Sequence, residues 1–226
     1  MFWKGARLSK RGDGLQSAYA GMAVESGHVW GPLDLVGGLP CLDFSNTAGG
    51  HTKTREVERI PTFQDVVRWA LAVELLSSGE ARSMLGAAKA KPQDAARLLH
   101  DMHVFREALQ RTVSAIATKR PIEAKDFSQV RAVITKALSQ AEIAGEDEAF
   151  VWSVDMDGVG LGTVLSRVAL SAHDMLTREK PSQLRICERC TWAFIDRTKN
   201  QKRRFCRQDA CGNKARAERF YERQKE

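Results

Sequence analysis

Apolar residues return at helical spacing through most of the chain, and this pattern sets the first expectations. Phe63, Val66, Val67, Ala70, Leu71 and Leu75 trace one face, with Thr62 and Asp65 placed as an N-cap and Ser77-Ser-Gly79 as a stop. A short helix is predicted over about Glu80 to Ala90, ahead of Pro92. Leu98, Leu99, Met102, Phe105, Leu109, Val113 and Ile116 then predict a long helix from about Pro92 to Thr118, closed by Lys119-Arg-Pro121. Phe127, Val130, Ile134 and Leu138 carry another amphipathic run to about Ala144, and Val164, Leu165, Val168, Ala169, Ala172 and Leu176 mark a last helix. Such faces must bury against one another, which predicts a mainly α protein.

Strand signals are few. Phe150-Val-Trp-Ser-Val154 is β-branched and aromatic and is bounded by acidic residues and Asp157-Gly158, so a small β element is expected in the helical N-terminal domain. Leu39 to Thr47 alternates apolar and polar residues and reads equally as a strand or as a first helical turn. Residues 1–36 are rich in glycine with no sustained period and are expected to be a flexible extension. That leaves 37–180 as the helical domain, with Lys180-Pro-Ser182 as a hinge to a separate module over 183–226.

Four of the five cysteines lie in that last module: Cys187-x-x-Cys190, then Cys206 and Cys211. Two close pairs separated by a loop can bring four thiolates to the corners of a tetrahedron, as a structural Zn²⁺ site requires. Iron–sulfur spacings bunch three cysteines together, and a redox pair would leave Cys206 and Cys211 without a role. Disulfides would need an oxidising compartment, which nothing near Met1 suggests, so the protein is expected in the cytoplasm. Within the module, Thr191 to Ile195 is expected to pair with a returning strand at Arg203 to Cys206, and a helix to run from Gly212 to the end, giving a treble-clef-like zinc finger with four cysteine ligands.

Charge sharpens this picture. The chain has 35 Lys and Arg against 28 Asp and Glu, while residues 185–226 hold 13 against 6. The whole basic surplus therefore falls on the metal module and points to a polyanionic partner. Lys199, Lys202, Arg203, Arg204, Arg207, Lys214, Arg216, Arg219 and Arg223 are the candidate nucleic-acid contacts. Trp192 and Phe194 are expected to fill the small core behind the metal.

Phe194-Ile-Asp196, Lys199-Asn200, Arg203-Arg-Phe-Cys206 and Cys211-Gly-Asn-Lys214, together with the cysteine pairs, resemble the CGNR zinc finger of bacterial proteins. Cys41-Leu-Asp-Phe-Ser-Asn-Thr47 resembles the opening motif of the ABATE domain joined to it in that family. The resemblance implies a stress-induced transcription regulator that binds DNA. Lys214 stands where the motif has Arg; it keeps the charge for a phosphate but lacks the fork that reads guanine.

Asp43, Asn46 and Thr47 are polar groups in an apolar stretch; they cap a helix or line a small-molecule pocket. Cys41 is alone and is expected to be a buried small side chain, and His100 and His103 are expected at surface or core rather than on a metal. No nucleophile elbow, phosphate-binding loop or zinc-protease motif occurs, so catalysis is not expected, and no apolar run reaches membrane-span length. The expectation is a DNA-binding regulator whose first domain senses a ligand or forms a homodimer on paired half-sites. An RNA- or ribosome-associated protein and a zinc-stapled protein adaptor are the alternatives.

Overall fold

The computed structural model describes residues 27–50, 53, 55, 57–146 and 149–224. The expected flexible extension over 1–36 therefore lies outside the described residues as far as 26; from 27 to 36 the chain lies along the helical domain, and Trp30 is buried.

Leu39 to Thr47 resolves as helix. Pro40 occupies the first turn of α1 (Pro40–Ser45), where its missing N–H costs nothing, and every residue of the helix is buried. Thr62 and Asp65 form a reciprocal capping box for α2 (Phe63–Ala72), and Ser77 and Glu80 form a second for α3 (Ser78–Ala90). The stop expected at Ser77 is thus also the start of the next helix. Pro92 opens α4 (Pro92–Ala117), the longest helix, and α5 (Ala124–Ser139) turns Val130, Ile134 and Ala137 inward while Phe127 stays 41% exposed. A single turn at Met156–Val159 leads into α6 (Thr163–Arg178).

Helices α4, α5 and α6 pack together, and the short α1 lies against α4 and α6 at the centre. Phe44 of α1 meets Trp69 and Phe105 with ring centroids 5.3 and 6.2 Å apart. Burying these large rings supplies much of the drive for this packing.

The predicted helix running to Ala144 is corrected by the structure. Helix α5 ends at Ser139, and β1 (Glu142–Glu146) pairs antiparallel with β2 (Ala149–Ser153), Ile143 opposite Trp152 and Gly145 opposite Phe150. Gly145 weakens a helix continuation, and the aromatic β2 segment supplies a cross-strand partner. A second hairpin, β3 (Leu184–Ile186) with β4 (Ala193–Ile195), rests on α4, and β4 also meets α1. Leu184, Ala193 and Ile195 join the main hydrophobic core. The last helix, α7 (Asn213–Arg223), follows a π-helical turn at Gln208–Gly212.

No helix among the described residues is long and apolar enough to cross a membrane.

Candidate metal centre and basic surface

Cys187 ends the hairpin knuckle, where its N–H donates to Trp192 O at 2.9 Å, and Glu188 N donates to Arg204 O at 3.0 Å. These bonds fold the two cysteine pairs onto each other. The π-helical turn brings Cys211 round, with Gly212 N donating to Arg207 O at 3.0 Å. A Cβ at Gly212 would lie 2.8 Å from the amide end of the exposed Gln208 side chain, which packs over this turn.

All four Sγ atoms lie within 4.8 Å of one another, and those of Cys190, Cys206 and Cys211 are separated by 3.7, 3.7 and 3.9 Å. A Zn–S bond of ~2.3 Å gives a tetrahedron edge of about 3.8 Å, so the thiolates fit a Zn²⁺ ion. Without a cation they compete for charge: hydrogen bonds from Cys190 and Cys206 favour the thiolate at Cys187, and the same bonding pushes Cys190 up to about 12. A bound divalent ion removes that conflict and closes the module as a structural staple.

Phe194 is fully buried behind the sulfurs and Trp192 nearly so. Arg203 lies 4.5 Å over the Phe194 ring and donates to Phe205 O and Cys206 O. Asp196 accepts from Thr198 N at 3.0 Å and from Arg203 N at 2.8 Å. Here the sequence expectation of a returning strand at Arg203 to Cys206 fails. The Arg203 N–H is engaged by a carboxylate rather than a ladder partner, and β4 pairs instead with Leu184–Ile186, ahead of the first cysteine.

A joint connects the metal module to the helical domain. The Asn46 side chain donates to Ala193 O at 2.9 Å and accepts from Ala193 N at 2.8 Å, so one buried amide acts as a short strand partner for β4. Gly37 O accepts from Ile195 N at 3.0 Å, and Gly37 N donates to Asp43 Oδ1 at 2.8 Å. Thr47 Oγ1 donates to Phe44 O and accepts from Arg106 Nη1, which is also ion-paired to Glu58. The three residues singled out between 43 and 47 therefore meet partners inside the chain.

Beside the joint lies a cleft of about 490 Å³ between the two modules, walled in part by Asp34, Glu58, Arg59, Arg189, Trp192 and Lys214. Arg59 sits 5.3 Å over Trp192, and Gly50 admits the indole where a Cβ would lie 2.6 Å from it. A Zn²⁺ held by four thiolates carries about −2 charge, and the guanidinium groups of Arg59, Arg189 and Arg207 lie close enough to offset it.

Comparison with protein-family models places this geometry. A CGNR zinc finger model matches residues 183–224. The ABATE model, described as "Putative stress-induced transcription regulator", matches residues 38–179. The chain belongs to the ABATE family. A search of curated proteins finds no match. Both matched families are of regulator or zinc-finger type rather than enzymes.

The basic residues of the CGNR finger divide into two groups. Arg203 is tied into the finger as described, Arg204 pairs with Glu188 at 2.5 Å, and Arg207 pairs with Asp209 at 2.8 Å. Lys199, Lys202, Lys214, Arg216, Arg219 and Arg223 are exposed and have no carboxylate partner among the described residues. Sequence reasoning did not distinguish the groups: Glu188 meets Arg204 only after the knuckle folds, and the local Arg207–Asp209 pair has no signature beyond its two-residue spacing.

Two isolated groups of the ABATE domain also find their places. The Cys41 thiol is wholly buried 3.8 Å from Met175 Sδ, and burial pushes it up to about 12, so it is inert as a nucleophile. His100 is exposed and His103 Nε2 lies 3.0 Å from Ile60 O.

Asp43 gives a pH prediction. Burial pushes its carboxyl from 3.8 to about 7 against the pull of the Gly37 and Val36 N–H groups. The folded state then holds a proton that the unfolded chain has released, so this residue's contribution to stability falls as pH rises from about 4 to about 7. Asp43→Asn mimics the protonated form. It should melt with the wild type at pH 4.5 and above it at pH 8; equal wild-type and variant melting at both pH values would remove the claim.

Proposed function

We propose that the protein is a DNA-binding transcription regulator in which zinc fixes the finger and the exposed cations of α7 and the Lys199–Lys202 loop contact phosphates. The observation that carries this is the group of six exposed cations without carboxylate partners among the described residues, on the module that holds the chain's entire basic surplus. Cations of that kind gain most from phosphate, because binding releases condensed counterions and breaks no existing ion pair. The ABATE domain acts as the platform, and ligand sensing or dimerisation is assigned to it.

The test is a titration of duplex DNA at several salt concentrations on the zinc-loaded protein. Affinity should fall by about 10³-fold or more between 50 and 200 mM salt if six phosphates are neutralised. Replacing Lys214 and Arg219 by Ala should weaken binding to all sequences and lower the salt slope by about 2. Affinity indifferent to salt would overturn the proposal, and preferential displacement by structured RNA would redirect it to RNA.

A further inference from the structure

Helix α7 turns its apolar side away from the molecule. At about 100° per residue, Ala217, Phe220, Tyr221 and Gln224 form one strip, while Ala215, the residue that touches the finger's small core, lies on the opposite side. Phe220 is 55% and Tyr221 63% exposed, and no residue of the helix is buried. Arg216 and Arg223 flank Phe220, at spacings of four and three. Eleven residues are too few to hold such a helix by propensity, so the strip has the character of a docking face.

A complementary surface stands elsewhere on the same chain. In the β1–β2 hairpin the register sets Ile143 beside Trp152 and Gly145 beside Phe150, all on one face. Ile143, Phe150 and Trp152 are 64%, 75% and 43% exposed. Glu142 and Ser153 form the next pair and point to the opposite face, where with Gln140 and Asp155 they help line a groove of about 340 Å³ at the end of the hairpin. Between 142 and 157 the chain has Glu142, Glu146, Asp147, Glu148, Asp155 and Asp157 and no Lys or Arg. A bare two-stranded hairpin is itself marginal in water.

We infer that α7 of one protomer docks on the β1–β2 hairpin of a second copy, Phe220 and Tyr221 against Ile143, Phe150 and Trp152, with the long side chains of Arg216 and Arg223 reaching round the strand ends to Glu142 and Asp155. The occupant is fixed by charge: an apolar face on a segment with six acids and no base matches an apolar strip flanked by arginines. A two-fold dimer in which each copy lends its α7 to the other's hairpin contains the pairing twice and leaves no free end. Two copies of so small a contact are needed to approach the ~1,200 Å² of a stable interface. Arg219 lies off the apolar strip and Lys214 borders it beside Tyr221, while Arg216 and Arg223 also belong to the phosphate-contacting set proposed above, so docking and DNA binding compete for these cations and the inference is tested without DNA.

Sedimentation velocity of the full zinc-loaded chain should give a dimer of twice the 25.1 kDa chain mass. Arg216→Glu with Arg223→Glu, and separately Glu142→Lys with Asp155→Lys, should each weaken the dimer by at least ~100-fold, since like charges then meet at both contacts. Mixing the two variants should restore a dimer, because every contact in the mixed species pairs opposite charges. A monomeric wild type at 100-micromolar order, variants that remain dimeric, or a mixture that stays monomeric would each overturn the inference. Zinc content and circular dichroism of each variant identify misfolding, and Phe220→Ser, which leaves charge unchanged, should weaken the dimer without altering either.

Discussion

Cys206→Ser should release zinc and unravel the finger from the knuckle to α7. The small core of this module consists of the four cysteines with Trp192, Phe194 and Phe205, too little apolar surface to fold alone. Structural zinc supplies on the order of 10 kcal/mol or more to comparable modules, so removing one ligand removes most of the drive. The loss should stop at the hairpin, because Leu184, Ala193 and Ile195 lie in the main core and Asn46 holds Ala193. Hydrogen exchange should therefore show protection lost at Glu188 and Gly212 and largely kept at Ile195. Metal analysis should fall from one zinc per chain towards none. Retention of one zinc with unchanged protection would show that Cys206 is not a ligand. Acid should act in the same direction, since protons compete with the ion for thiolates.

Asn46→Ala should destabilise the whole protein by roughly 2–5 kcal/mol. Its two hydrogen bonds satisfy both backbone groups of Ala193, and Asn46 is 1% exposed, so water cannot substitute. Leaving a buried donor and a buried acceptor unmatched costs about 1–3 kcal/mol each. Denaturant unfolding measures the total, and exchange at Ala193 N–H localises it. A loss under about 0.5 kcal/mol would mean the joint is held by apolar packing alone. Asn46→Asp is a sharper variant: it keeps one acceptor but sets a carboxylate oxygen against Ala193 O, so it should be at least as damaging.

These two residues show how unevenly the structure was legible. Cys206 was readable because metal ligation leaves a spacing that survives without coordinates. Asn46 was noticed as polar in an apolar stretch, yet its partner is 147 residues away and is a backbone group, which has no signature in the sequence. The same holds for Arg203. Its charge placed it with the nucleic-acid candidates, whereas its position over Phe194 and its bonds to Phe205 and Cys206 carbonyls make it part of the finger.

By itself the sequence determined the mainly helical class, the cap at Thr62, the run of α4, the four zinc ligands and the confinement of the basic surplus to the last module. Each rests on local periodicity, fixed spacing or composition, which are properties of neighbouring residues. Tertiary structure decided which strand pairs with β4, which arginines are engaged, that Asn46 joins the two modules, and that the apolar strip of α7 faces outward. Those outcomes depend on where distant segments meet, and a helical period defines a face without saying what lies opposite it.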